Sequence, residues 1–93
     1  MTRVFFSNSA EHDLKRLPGN AKELLREEHI PKLAANLRIG KSLHGPLRGY
    51  FSYEFWASGV SYRIAYEVIK GDVVILLVDK GDNFYNKFLK RVR

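Results

Sequence analysis

Hydrophobic and polar residues alternate along two segments in the second half of the chain. In residues 61–69, Tyr62, Ile64, Tyr66 and Val68 fall on one parity and Ser61, Arg63, Ala65 and Glu67 on the other. A period of two predicts a strand with one apolar and one polar face. Residues 50–56 repeat the pattern, with Phe51, Tyr53 and Phe55 against Tyr50, Ser52, Glu54 and Trp56. A third, continuously apolar run, Val73 to Val78, reads as a more buried strand. Ser58-Gly59 and Gly71-Asp72 supply turn residues between the segments, so the three strands are expected to form an antiparallel meander.

The first half reads differently. Residues 2–8 are β-branched and aromatic, which predicts a first strand. Asn8 or Ser9 then serves as a helix cap, with Glu11 three residues after Asn8. Ala10, Leu14 and Leu17 share one helical face, and Pro18-Gly19 ends that helix. Asn20 and Glu23 repeat the cap signal for a second helix carrying Leu24, Leu25, Leu33, Ala34 and Leu37. Pro31 interrupts it, which predicts a kink or break near His29-Ile30. Gly40 stops the helix, and residues 40–49 form a loop punctuated by Gly and Pro. The order is β-α-α-β-β-β, followed by a basic tail or short helix. This is an α+β domain: an antiparallel sheet with two N-terminal helices packed on one face, the whole of residues 1–93 forming one unit.

Composition narrows the chemistry. With no cysteine among 93 residues, disulfides, thiolate metal sites and cysteine nucleophiles are excluded. His12, His29 and His44 have no metal-ligand spacing, so no metal is implied; His12 and His29 read as helix-surface residues. The longest apolar run is far too short for a membrane span, and the start lacks a signal-peptide pattern, so a cytoplasmic location is expected. A formal charge of +6 points to a nucleic-acid or an acidic protein partner.

Candidate chemistry centres on Arg63, a permanent charge within a strand. By alternation it lies on the open face, where a cross-strand pair with Glu54 or Glu67 accounts for it at about 0.2–1 kcal/mol. The loop residues Lys41, His44 and Arg48 form either a solvated basic surface or a grip on phosphates. The tail carries Lys87, Lys90, Arg91 and Arg93 without an acid between them, which suits a phosphate backbone. Trp56, Tyr50 and Tyr85 are aromatics able to stack on unpaired bases.

Taken in order, "GKSLHGPLRGYFSYEF", "YRIAYEV", an apolar strand and "NFYNKFLKR" resemble the RelE/ParE toxin superfamily over nearly the whole chain. The resemblance implies a toxin neutralised by a cognate antitoxin protein. RelE-like members cut mRNA on the ribosome without metal or cofactor; the alternatives are a ParE-like inhibitor of DNA gyrase and a catalytically silent member that only binds its antitoxin. In the RelE-like reaction a ribose 2′-hydroxyl attacks the adjacent phosphate and expels the next 5′-oxygen. Arg63 in "YRIAY" matches the family's strand arginine, and Tyr85 in "NFY" its C-terminal tyrosine. Relatives' strand lysines are replaced here by Ser52 and Glu54, and a His or Arg before the tyrosine by Gly81 or Lys80. The implied catalytic set is therefore Arg63 holding charge, Tyr85 orienting a base or moving a proton, Glu54 as base, and Lys80 as cation or acid. Lys41, His44, Arg48, Lys87, Lys90 and Arg91 would contact RNA.

Overall fold

The meander forms as two-residue hairpins allow. The computed structural model, which describes residues 2–93, contains strands β3 (Phe51–Ala57), β4 (Val60–Ile69) and β5 (Asp72–Lys80). Ser58 (φ 50°) with Gly59 (φ 77°), and Lys70 (φ 52°) with Gly71 (φ 82°), make the connections. Two successive positive φ angles match the twist of the flanking strands. The second loop is thus Lys70-Gly71, one residue earlier than expected.

The sheet order is β1-β5-β4-β3-β2, where β1 is Val4–Phe6 and β2 is Lys41–Ser42. Two features go beyond the sequence reading. β1 runs parallel to β5, so the sheet is mixed, although its remaining pairings are antiparallel. The loop after the helices also contributes β2, pairing Lys41 with Ser52.

Helices follow β1. α1 (Asn8–Arg16) is capped by Ser7, whose Oγ accepts from the Ala10 N–H at 3.1 Å. The cap is therefore one residue before the expected Asn8. α2 (Gly19–Leu24) has no side-chain cap, and Asn20 instead donates to Ser58 Oγ on the β3–β4 turn. α2 continues through a π-helical turn (Leu25–His29) into α3 (Ile30–Ala35). Pro31 does not break this helix. It lacks an N–H and would press on the carbonyl four residues back; the widened turn, in which the Ile30 N–H reaches the Leu25 carbonyl, absorbs the misfit. α4 (Phe84–Val92) turns the basic tail into a helix.

Each face of the sheet has its own core. α1–α3 cover Phe55, Tyr62, Ile64, Tyr66, Val73, Ile75 and Val78. On the other face, Phe84 and Phe88 of α4, with Leu43 and Leu47, cover Ala65 and Leu77. A bulge in β5 opposite Ala65/Tyr66 accompanies the packing of both Leu76 and Leu77 into that second core. The face expected to be open is thus half covered, leaving a strip at Glu54, Ser61 and Arg63.

His29 departs from the surface position expected of it. It is buried, with its ring 4.6 Å from that of Phe55. Nε2 lies 3.1 Å from a Glu28 carboxylate oxygen and Nδ1 2.7 Å from the Tyr53 hydroxyl. A carboxylate accepts only, so the tautomer that suits both neighbours carries its proton on Nε2, with Tyr53 donating to Nδ1. Burial lowers the His29 pKa, against an opposing pull from Glu28. Burial likewise raises the Tyr53 pKa, keeping its hydroxyl a donor.

Candidate functional site

Arg63 and Glu54 are directly opposed in the β3–β4 register, which puts both side chains on the open strip. Arg63 Nη2 stands 3.5 Å from Glu54 Oε2. The same carboxylate oxygen accepts from Ser61 Oγ at 2.7 Å. On its other side, Arg63 Nη1 donates to the Tyr85 hydroxyl at 3.2 Å, and its guanidinium carbon lies 5.6 Å from the Tyr85 ring centre. α4 therefore brings Tyr85 to Arg63 across 22 residues of sequence. Arg63 and Glu54 retain 25% and 33% of their side-chain surface, enough for a ligand to reach both.

Two shallow clefts flank this pair. One, about 390 Å³, is lined by Lys41, Ser52, Glu54, Arg63 and Tyr85. Lys41 reaches it because its register partner is Ser52, on the Arg63 face. Gly40 permits that course: a Cβ there would stand 2.7 Å from the Tyr66 hydroxyl and 2.8 Å from the Ser52 carbonyl oxygen. Tyr66 fastens the same segment, accepting from the Gly40 N–H and donating to the Leu37 carbonyl. The second cleft, about 330 Å³, is bordered by Ser61, Arg63, Gly81 and Asp82. At Gly81 a Cβ would meet Ser61 Oγ at 3.2 Å, so the absent side chain keeps the approach to Arg63 clear.

The other candidates divide. Lys80 pairs with Tyr62, which directs it towards the helix-covered face, where it borders a cleft beside Asp13 and Tyr62 as well as the second cleft. Asp79, not Lys80, is opposite Arg63. Lys87 is held by Asp79 at 3.0 Å. Arg91 is not a free RNA contact. It binds Asp13, whose side chain is 2% exposed, and donates to the Leu76 carbonyl. His44 lies in a separate apolar cleft beside Tyr85. Arg48 and Lys90 are exposed away from the strip's clefts, and Trp56 is 59% exposed on the same face as Glu54.

Asp13 is the residue that the sequence reading missed. β1 ends at Phe6, so β5 beyond Ile75 has an unpaired edge. Asp13 Oδ2 accepts the Val78 N–H there at 3.0 Å while binding Arg91 and Arg16. The signal was present: Asp13 sits three residues after Ala10 and before Leu14 and Leu17, inside the apolar stripe. An acid in such a stripe needs partners.

The arrangement places a cation, a carboxylate and a phenol around one accessible strip. The family model for ParE-like toxins of type II bacterial toxin–antitoxin systems matches residues 4–89. A solved chain of the toxin–antitoxin complex RelBE2 from Mycobacterium tuberculosis is 34% identical, with 85% of this chain and 96% of that chain covered and a TM-score of 0.72. The isolated RelE toxin of E. coli is 24% identical over 100% of both chains, at a TM-score of 0.72. An E. coli RelE mutant in the free state reaches 0.76 at 20% identity, with 99% and 98% covered. No curated protein sequence gives a match.

Proposed function

The chain belongs to the ParE-like toxin family of type II bacterial toxin–antitoxin systems, within the RelE/ParE superfamily, and from that premise we propose that it is a metal-free endoribonuclease acting on ribosome-bound mRNA in the cytoplasm. A cognate antitoxin neutralises it, in keeping with its likeness to a chain of a RelBE2 complex. The observation that carries this reading is the Tyr85–Arg63–Glu54 cluster on an accessible strip.

In the reaction the ribose 2′-oxygen forms a bond to the adjacent phosphorus, and the bond from phosphorus to the next 5′-oxygen breaks. The products are a 2′,3′-cyclic phosphate and a free 5′-hydroxyl. Glu54 takes the 2′ proton. Arg63 exchanges Glu54 for the phosphate oxygens, while keeping Tyr85, and holds the charge that grows there; its fork-shaped donors suit two oxygens. Tyr85 accepts from Arg63, so its own O–H is free to protonate the departing 5′-oxygen. Lys41 supplies a second positive charge at the same cleft, a better position than that of Lys80.

The test is expression of wild type and Arg63→Ala in cells, with mRNA ends mapped on ribosomes. Cleavage by the wild type and none by the variant is expected. Equal toxicity, or no cleavage by either, would sink the nuclease reading. A second reading, gyrase inhibition without RNA chemistry, draws on the occupied state of Glu54, already held by Ser61 and Arg63. Inhibition of purified gyrase at low protein concentration would favour it.

A further inference from the structure

An apolar cleft of about 410 Å³ lies between α4 and the segment around β2. Its walls are Leu43, Pro46, Leu47 and Leu89, and Ser42, His44 and Asn86 bring polar atoms to it. It shares Lys41 and Tyr85 with the Arg63 cleft, so the two spaces adjoin along one side chain from each of β2 and α4. We infer that this cleft is a nucleobase subsite, receiving the base of a ribonucleotide whose phosphate lies at Arg63. The inference rests on the RNA reading above and adds where sequence preference arises.

Three observations favour a base over other occupants. The volume and the apolar walls with few polar groups are those of a small-molecule site. Among the described residues no carboxylate lines the cleft, while Lys41 and His44 do, which suits an anionic ligand entering from the phosphate side. The Asn86 amide nitrogen is engaged by Asn83 at 2.6 Å, which leaves its carbonyl oxygen to accept from the edge of a base. A planar base fills such a slot by apolar contact and is read by these few polar atoms.

The test uses the whole protein with methyl-labelled leucines and an RNA dinucleotide bearing a 2′-deoxy group at the scissile position, which cannot be cut. Its abasic counterpart keeps the phosphate alone. The base-bearing ligand should shift the Leu43, Leu47 and Leu89 methyl signals and bind at least about fivefold more tightly than the abasic one. Asn86→Ala should alter the ranking of the four bases while leaving abasic binding unchanged. Equal binding of both ligands would overturn the subsite yet leave the phosphate reading intact. Binding by neither would overturn the subsite, while the phosphate reading stands or falls on the ribosome-mapped cleavage test above. Methyl shifts produced by the antitoxin and by no nucleotide would make the cleft a protein-docking groove and the inference wrong.

Discussion

Two arginine–carboxylate pairs in this molecule differ in almost every physical respect. Asp13–Arg91 joins α1 to α4 across the edge of β5, with the carboxylate almost wholly buried. Asp13 also accepts from Arg16 and from the Val78 N–H, so its oxygens are saturated. Arg63–Glu54 spans two neighbouring strands at 3.5 Å, both members reach water, and only Ser61 adds a bond to the carboxylate. The first pair replaces a missing strand and fixes α4 over the second core. The second leaves guanidinium and carboxylate free to change partners. Saturation and burial, rather than the presence of an ion pair, separate a structural arginine from one available to a ligand.

The largest expected effect falls on the buried pair. Asp13→Ala strands Arg91 and leaves the Val78 N–H without its acceptor. A cost of about 3 kcal/mol is expected, visible as a drop of more than about 10 °C in a thermal melt of this small chain. Asp13→Asn keeps an acceptor for Val78 and should lose less. If Asp13→Ala melts with the wild type, the contrast between the pairs is broken.

Arg63→Ala probes the other pair through activity. Removing a charge-stabilising donor from a reacting centre reduces turnover about 100- to 1,000-fold. Ribosome-dependent cleavage of a defined message should fall by that amount while the melting temperature barely moves. A large loss of stability with little loss of cleavage would reverse the assignments of the two arginines.

The sequence made the exchangeable pair easier to see than the structural one. Period-two alternation alone opposed Arg63 and Glu54 on the open face, because their contact is local to one hairpin. Tyr85 required resemblance to a known family, since nothing in its own segment points to β4. Asp13 and Arg91 are 78 residues apart, and no local pattern joins them. The parallel pairing of β1 with β5 was hidden for the same reason. Other misses were legible. Leu25, His29 and Leu33 recur every four residues, a stripe that already put His29 inside. Phe84 and Phe88, four apart, with Leu89 beside them, marked the tail as an amphipathic helix whose inner face includes Arg91 at the next turn. The short helix expected as one form of the tail is present; what that expectation left out was the stripe, and with it the cover over Ala65.

His29 supplies an intermediate case, a buried group that avoids charge instead of pairing it. Burial lowers its pKa in the folded chain, so the unfolded chain, with a value near 6.5, binds the proton more readily. Its contribution to stability is therefore complete above about pH 6.5 and is lost as pH falls from there through the folded value. Melting temperature should decline over that interval, before most carboxylates titrate. His29→Gln should flatten the decline even if its stability at pH 8 is lower. A decline of unchanged steepness in the variant would assign the effect to other groups.

The smallest stability effect is expected at Glu54, and it draws the distinction most sharply. A partly exposed cross-strand pair contributes about 0.2–1 kcal/mol. Glu54→Ala should thus shift a urea melt no more than that, whereas Asp13→Ala moves it several times further. If Glu54 takes the 2′ proton, cleavage should nonetheless fall by at least about 100-fold. Glu54→Gln keeps an acceptor for Ser61 but no base, and should be as inactive as the alanine variant. Intact stability with lost cleavage means that the carboxylate serves the substrate more than the fold. A stability loss above about 2 kcal/mol would instead place Glu54–Arg63 with Asp13–Arg91, and Arg63 would be a structural residue that happens to face water.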